Sequence, residues 1–362
     1  MQFFPNSIGL DISESSIKAV SLKKADNGLF DLVAFGKGYL AEGTVNEGEI
    51  KNEVAFLEVL NTLIASEKSN FPKTKYLVVS LPEEKAFLRV IELPLSLKDK
   101  ELENALKFEV ESNLPMALEE IYYGYEILNV NTEAGHYDIM VQAIPKKIAD
   151  SYTEFFKKNG YIALALELES AAAGRALFTE KENKESVLVL DIGSTQTRFM
   201  IVSEGVLKFT SSNTVAGNQF SKTLTEHFPV NLKEAEFMKR MVGLDKNQEK
   251  GRELLEALKP GLESLKDQIQ NYLGFFETHP SSHFISEGAK KISKIVLTGG
   301  GACLWGVTDW LSQEVGLNVV LANPMSRIKI NAHSKTKLSL EESLAYTSAI
   351  GLALRNFEEV GS

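Results

Sequence analysis

Short apolar runs alternate with polar turns along the chain, and the order in which they do so occurs twice. Ser7–Leu10 reads as a buried strand, with Ile17–Leu22 its partner across the turn DISESS. The turn signal ADNG follows at 25–28, and LFDLVAFGKGYL gives a third strand. Past Gly48, EIKNEVAFLEVLNTLIASEK has helical apolar spacing at Val54, Leu57, Leu60 and Ile64, and KYLVVSLP is another buried strand. From Val187 the opening order returns as strand 187–190, turn DIGSTQT, strand RFMIV, turn SEG and strand VLKFTSS. An internal duplication accounts for this shared order.

Between the two copies the pattern changes. The strand AFLRVIELP leads to an amphipathic helix in SLKDKELENALKFEVESNLP, with Ser96 expected as its N-cap and Pro115 just past its end. Two strands, IYYGYEILNV and HYDIMVQAIP, flank the turn NTEAGH. These elements predict a small α/β insertion over 84–145. A helix in KKIADSYTEFFKKNGY and a strand-to-helix element in IALALELESAAAGRALF come next. TEKENKES, 179–186, is charged and nearly free of apolar residues, which marks a linker. The expected domains are therefore 1–83 with 146–185, the insertion 84–145, and 186–362. Helices dominate the third of these over 218–290.

Composition narrows the class. A chain of 362 residues is long enough for about two domains. Its net charge of −10 argues against nucleic acid as a partner, because phosphate contacts need clustered Lys and Arg. The single cysteine, Cys303, fits a reducing cytoplasm and reads as core filler. No apolar run approaches the roughly 20 residues of a membrane span, and the acidic ending RNFEEVGS is unsuited to inserting into anionic lipid. His279 and His283 flank Pro280 in an expected loop, a poor arrangement for a helical metal pair. The aromatics of IYYGYEIL and NYLGFFETH read as core.

The chemistry concentrates where the repeated strands end. Asp11 and Asp191 each stand at such an end, followed by small or hydroxyl residues: Ser13, Ser15 and Ser16, then Lys18, in the first copy, and Gly193, Ser194 and Thr195 in the second. Converging backbone N–H groups in turns of this kind hold anions. Two carboxylates suit Mg²⁺, a hard cation that prefers oxygen. Either turn alone reads equally as a surface hairpin with an Asx turn, and Lys18 as a solvated strand residue. The third element is TGGGACLWG, 298–306, in which Gly299, Gly300, Gly301 and Ala302 follow the strand KIVLT and lead into a helix. It lacks GxGxxG spacing, and no GxxxxGK[ST] occurs in the chain.

Taken in order, these residues resemble the actin-like ATPase superfamily, an α/β, ribonuclease H-like two-domain fold with an interdomain nucleotide cleft. The resemblance implies ATP and Mg²⁺ as cofactors, with Asp11–Lys18 and Asp191–Arg198 as phosphate motifs and 298–306 as the adenosine motif. It implies metal binding at Asp11 and Asp191. Glu169 would stand beside an attacking water, although a Glu heading an Ala-rich helix is also a favourable charge at its N-terminus. Glu236 and Lys239 in AEFMK would reach ribose and base, though their spacing also suits a surface ion pair. The nearest resemblance within the superfamily is to the PilM family of type IV pilus assembly. It spans nearly the whole chain, including IELP before the insertion helix, Gly217 and Asn218 in AGNQF, AEFMKRMVG and the closing AIGLALR. It implies ATP binding with slow or absent hydrolysis, a cytoplasmic place peripheral to the inner membrane, and docking of the N-terminal cytoplasmic peptide of a PilN-like bitopic protein. Self-association stays open. An FtsA-like filament former and a sugar kinase are the alternatives. Ser13 departs from the Gly usual after the first DI, and its Cβ would narrow the phosphate approach unless φ stays negative.

Overall fold

A computed structural model describes residues 6–357 apart from 26–27, 68, 99, 114–115, 133–134, 179–184, 204, 279–290 and 330–336. Most of the expected linker, the His279/His283 pair and the end of the helical region 218–290 lie outside the described residues. The chain divides into two compact units. One comprises Met1–Ala176, Arg327–Thr336 and Ser348–Ser362; the other comprises Leu177–Ser326 and Lys337–Thr347. The sequence reading kept 348–362 with the second domain, whereas the structure groups these residues with the first unit.

In the first unit, β1 (Ile8–Ile12), β2 (Ser16–Lys24) and β3 (Phe30–Tyr39) form an antiparallel meander. A two-residue hairpin, β4 (Val45–Asn46) with β5 (Glu49–Ile50), precedes α1 (Glu53–Leu60). Strand β6 (Tyr76–Leu81) then runs parallel to β1. The insertion consists of β7 (Phe87–Pro94), α2 (Lys100–Asn113), β8 (Ile121–Asn131) and β9 (His136–Pro145). Then come α3 (Lys146–Lys158), β10 (Ile162–Leu168) and α4 (Glu169–Leu177). The five-stranded sheet has the order β10-β6-β1-β2-β3.

Helix α3 forms because Ile148, Ala149, Tyr152, Phe155 and Phe156 recur at helical spacing and bury one face. It stops at Asn159–Gly160, where Gly160 takes φ 83°. In the insertion, the order β7-β9-β8 puts α2 on one face, where Leu102, Leu106 and Val110 meet Leu93, Ile139 and Val141.

The second unit repeats the scheme with β11 (Ser186–Ile192), β12 (Thr197–Ser203) and β13 (Val206–Asn213) as the meander. Helices α5 (Gly217–His227), α6 (Leu232–Met241) and α7 (Glu249–Thr278) follow. After them come β14 (Ile292–Thr298), α8 (Val307–Val315), β15 (Asn318–Leu321) and α9 (Leu340–Ser343). Its sheet order, β13-β12-β11-β14-β15, matches that of the first unit strand for strand. The last helix, α10 (Thr347–Arg355), packs against the first unit's sheet. A Cβ on Gly9 of β1 would lie closer than 3.0 Å to the backbone of Ala349 and Ala353, and one on Gly351 would strike the carbonyl of Ala172 in α4. The small residues of SAAAGRAL thus let two helix backbones meet. Arg175 and Arg355 both pair with the buried Glu167, Arg355 at 2.8 Å, which locks the same helices.

Local expectations are corrected at several points. Val54 is 70% exposed, and the buried stripe is Phe56, Leu60 and Ile64: two residues before Phe56, Val54 stands about 200° round the helix from it. Ser96 is not the N-cap of α2: Leu97 N–H closes a turn onto Pro94 O, and the helix begins at Lys100. Tyr122 and Tyr125 are exposed rather than core: Tyr122 lies on the face of β8 opposite α2, while Tyr125 lies on the α2 face of this edge strand beyond the buried cluster around Ile121. Tyr272, by contrast, packs on Phe199 and Phe209 as core.

Candidate functional site

The two Asp-bearing turns are built alike, one in each unit. In the first unit Asp11 lies directly across from Lys18 in the β1–β2 ladder, and Lys18 Nζ donates to Asp11 Oδ2 at 2.7 Å. Lys18 is therefore an ion-pair partner rather than a solvated strand residue. Asp11 is 3% exposed, and its Oδ1 has no hydrogen-bond partner among the described residues. The turn closes through Ser13 N–H onto Ser16 O at 2.9 Å. Ser13 is not among the positive-φ residues, so its Cβ is accommodated, and its hydroxyl bonds Ser16 O at 3.0 Å. Ser16 is buried inside the turn, while Ser15 is half-buried and its carbonyl accepts Leu40 N–H. Ile12 N–H donates to Ser80 Oγ, fixing the end of β1 onto β6.

Strands β10, β6 and β1 are adjacent and parallel, and an acid stands at the carboxyl end of each. They are Glu169 after β10, Glu83 after β6 and Asp11 in β1. Ligands of open α/β sheets bind at this end. Glu169 is buried as the first residue of α4, and Glu83 Oε2 accepts the Ser170 N–H at 3.0 Å. Glu83, itself 9% exposed, positions the helix that carries Glu169. Sequence reasoning missed it, although an acid directly after the buried strand and Pro82 was the available signal.

In the second unit Asp191 lies across from Arg198, whose Nη2 donates to Asp191 Oδ2 at 2.6 Å. Gly193 N–H bonds Gln196 O at 2.8 Å, repeating the Ser13–Ser16 closure. Here glycine is required: a Cβ on Gly193 would lie 2.8 Å from Gln196 O. Gly217 and Asn218, at the start of α5, donate their N–H groups to Gly193 O and Ser194 O at 2.9 and 2.8 Å. Thr195 is half-buried in the same turn and Asn218 is exposed. Asp191 is also level with Thr298 at the end of β14, so the third glycine motif starts beside it.

Gly299 has φ 82° and ψ 166°, a conformation essentially confined to glycine, and a Cβ there would run into Asp191 Oδ1 and Ile192 O. A Cβ on Gly301 would strike Ile192, and the Cα of Gly301 stands 3.9 Å from the Cβ position of Gly217. Beyond Gly300 the nearest atom is Ala345 Cβ at 3.9 Å, leaving that backbone face open. Ala302 is buried and bonds back to Gly299 O.

Lys239 is 6% exposed; its Nζ donates to Gly217 O at 3.0 Å and lies 2.7 Å from Glu236 Oε1. Glu236 also accepts from Ser221 Oγ. This is more than a surface ion pair, because it ties α6 to the start of α5. Burial pushes the Lys239 ammonium below its usual range, partly offset by Glu236. Burial also raises Glu236, but Lys239 and Ser221 outweigh it and hold the carboxyl low.

These features have counterparts among known proteins. The family model described as "Type IV pilus assembly protein PilM" matches residues 9–357. The chain belongs to the PilM family. A solved PilM–PilN type IV pilus biogenesis complex has a TM-score of 0.80 to it at 23% identity, covering 98% of this chain and 99% of that one. The ethanolamine utilization protein EutJ from Carboxydothermus hydrogenoformans gives 0.57 at 15% identity, covering 96% and 89%. MreB 5 of Spiroplasma citri bound to AMPPNP gives 0.56 at 14%, covering 94% and 93%. These likenesses establish the actin-like fold.

This PilM-family chain fits a magnesium nucleotide on two counts. The buried Oδ1 of Asp11, the carboxylate oxygen that Lys18 does not take, suits a hard cation. In the second unit, the turn at 191–194, the start of α5 and the 299–301 loop meet backbone to backbone because side chains are absent. The open backbone face at Gly300 gives that corner room for a nucleoside.

Proposed function

We propose that the chain is a Mg-ATP-binding scaffold of type IV pilus assembly that docks the N-terminal cytoplasmic peptide of a PilN-like inner-membrane protein. The observation that carries the nucleotide part is the matched pair of turns, each with a buried Asp held from the facing strand by a cation. In this reading Asp11 and Asp191 hold the metal, and Ser13, Ser15, Lys18, Gly193, Ser194 and Thr195 take the phosphates. Gly299–Ala302, Gly217 and Asn218 accept the nucleoside, with Glu236 fixed for it by Lys239. Glu169, seated by Glu83, orients water, and turnover is slow or absent. The family match supports the pilus role, and the solved PilM–PilN complex supports the choice of partner. The insertion at 84–145 is proposed as the part beside which the peptide docks. The partner would hold the chain at the cytoplasmic face of the inner membrane. No helix among the described residues is long and apolar enough to cross a membrane.

The test is a calorimetric titration of the Mg-ATP-loaded chain with that peptide. A saturable one-to-one isotherm near micromolar, about −8 kcal/mol, is expected. No heat at several temperatures, with ATP shown to be bound, overturns the docking role while leaving nucleotide binding intact.

A further inference from the structure

Away from the Asp-bearing turns, one group of His, Asp and Glu donors converges among the described residues: Glu92 on β7 with His136 and Asp138 on β9. Register brings them together. Asp138 stands directly across from Glu92 in the antiparallel ladder, and His136 precedes Asp138 by two positions. All three side chains therefore leave the same face of the sheet. That face is opposite the one covered by α2, where Leu93, Ile139 and Val141 are buried. Asp138 is 2% and His136 8% exposed, while Glu92 is open to solvent. Their ligand atoms all lie within 4.8 Å of one another, and His136 Nε2 is 3.3 Å from Asp138 Oδ1.

That separation is informative. Donors bonded at about 2.0–2.1 Å to one tetrahedral ion stand about 3.3–3.4 Å from each other along the tetrahedron's edge. The two buried donors already have this spacing without an ion. The carboxylate of Glu92, within 4.8 Å of the others on an exposed and flexible side chain, would close the third edge. We propose that Glu92, His136 and Asp138 bind one divalent d-block cation of the zinc class, with water completing the shell. Imidazole selects such ions over Mg²⁺ and Ca²⁺, which take oxygen. Two carboxylates and a neutral imidazole give the site a charge that a divalent ion cancels. The ion would join β7 to β9 beside the point where the strands part at Pro94 and His136. None of its three donors is among the residues assigned to the nucleotide.

The test uses the full chain, stripped with a chelator and kept in excess Mg²⁺ so that oxygen-only sites are filled. Titration with Co²⁺ is followed by visible d–d absorption, and Zn²⁺ is then added. One equivalent of Co²⁺ giving a visible band, displaced by Zn²⁺, is expected. Glu92→Gln, an exposed change that leaves the buried pair in place, is expected to weaken binding by about tenfold or more, since even outer-shell changes cost that much. His136→Ala is expected to abolish the band, with folding checked by circular dichroism. The absence of a band, or a band unchanged in Glu92→Gln, overturns the proposal.

Discussion

Asp11 and Gly299 show what single residues contribute. Asp11→Asn keeps the shape but removes the charge that a metal would balance and that Lys18 pairs with. Mg²⁺-dependent ATP binding, measured by fluorescent-nucleotide displacement, is expected to fall at least tenfold. Thermal stability without nucleotide should change far less, because the amide can still accept from Lys18. Gly299→Ala is expected to act differently. Its φ of 82° lies where side chains are strained, and its Cβ would meet Asp191 and Ile192, so a stability loss of about 1–3 kcal/mol should accompany lost nucleotide binding. Denaturant unfolding separates the two cases. Asp11, Asp191 and the glycines were legible in the sequence because each sits at a strand end with small residues after it. Glu83 was not, since its role depends on the neighbouring parallel strand. The Glu92, His136 and Asp138 group was hidden for a related reason: strand register is not written locally.

Helix α3 carries a pH-dependent feature at the level of an element. Tyr152, buried on its inner face, donates its hydroxyl to Gly48 O at 2.8 Å. Burial, with the charges of Glu84 and Glu49, pushes the phenol far above its usual range. A pKa raised on folding gives stability that is complete below the unfolded value of about 10 and lost as pH rises beyond it. Unfolding free energy is therefore expected to fall in alkali above about pH 10, and to fall less in Tyr152→Phe. That variant should lose about 1 kcal/mol at neutral pH for the missing bond. Urea titrations at several pH values check both. The contact of α4 with α10 allows a second test. Gly351→Val places atoms against the Ala172 carbonyl, and a loss of several kcal/mol or failure of the first unit to fold is expected. The succession of strands along the chain in both copies could be read from the apolar runs, because alternation of buried runs and turn signals is a local property; their order in the sheet could not. The start of α2 was misplaced because a turn at Pro94–Leu97 precedes the helix and imitates its cap.

Across the whole molecule, the doubled meander explains why one sequence holds two similar Asp-bearing turns. The same register, Asp11 opposite Lys18 and Asp191 opposite Arg198, recurs because both copies have the same five-stranded order. What the pattern could not reveal was that α10 returns to the first unit, since its record is tertiary: the packing of Gly9 and Gly351 and the Arg355–Glu167 pair. That return has a consequence in time. Strand β1 is synthesised more than 330 residues before the helix that covers it. At about 5–20 residues per second the gap is on the order of 17–70 s. Through it Gly9 and its neighbours lack their cover, and the last strand of the second unit's sheet ends at Leu321, only 26 residues before that helix begins at Thr347. The first unit, although begun earlier, therefore gains the helix that covers β1 only after every strand of the second unit has been made.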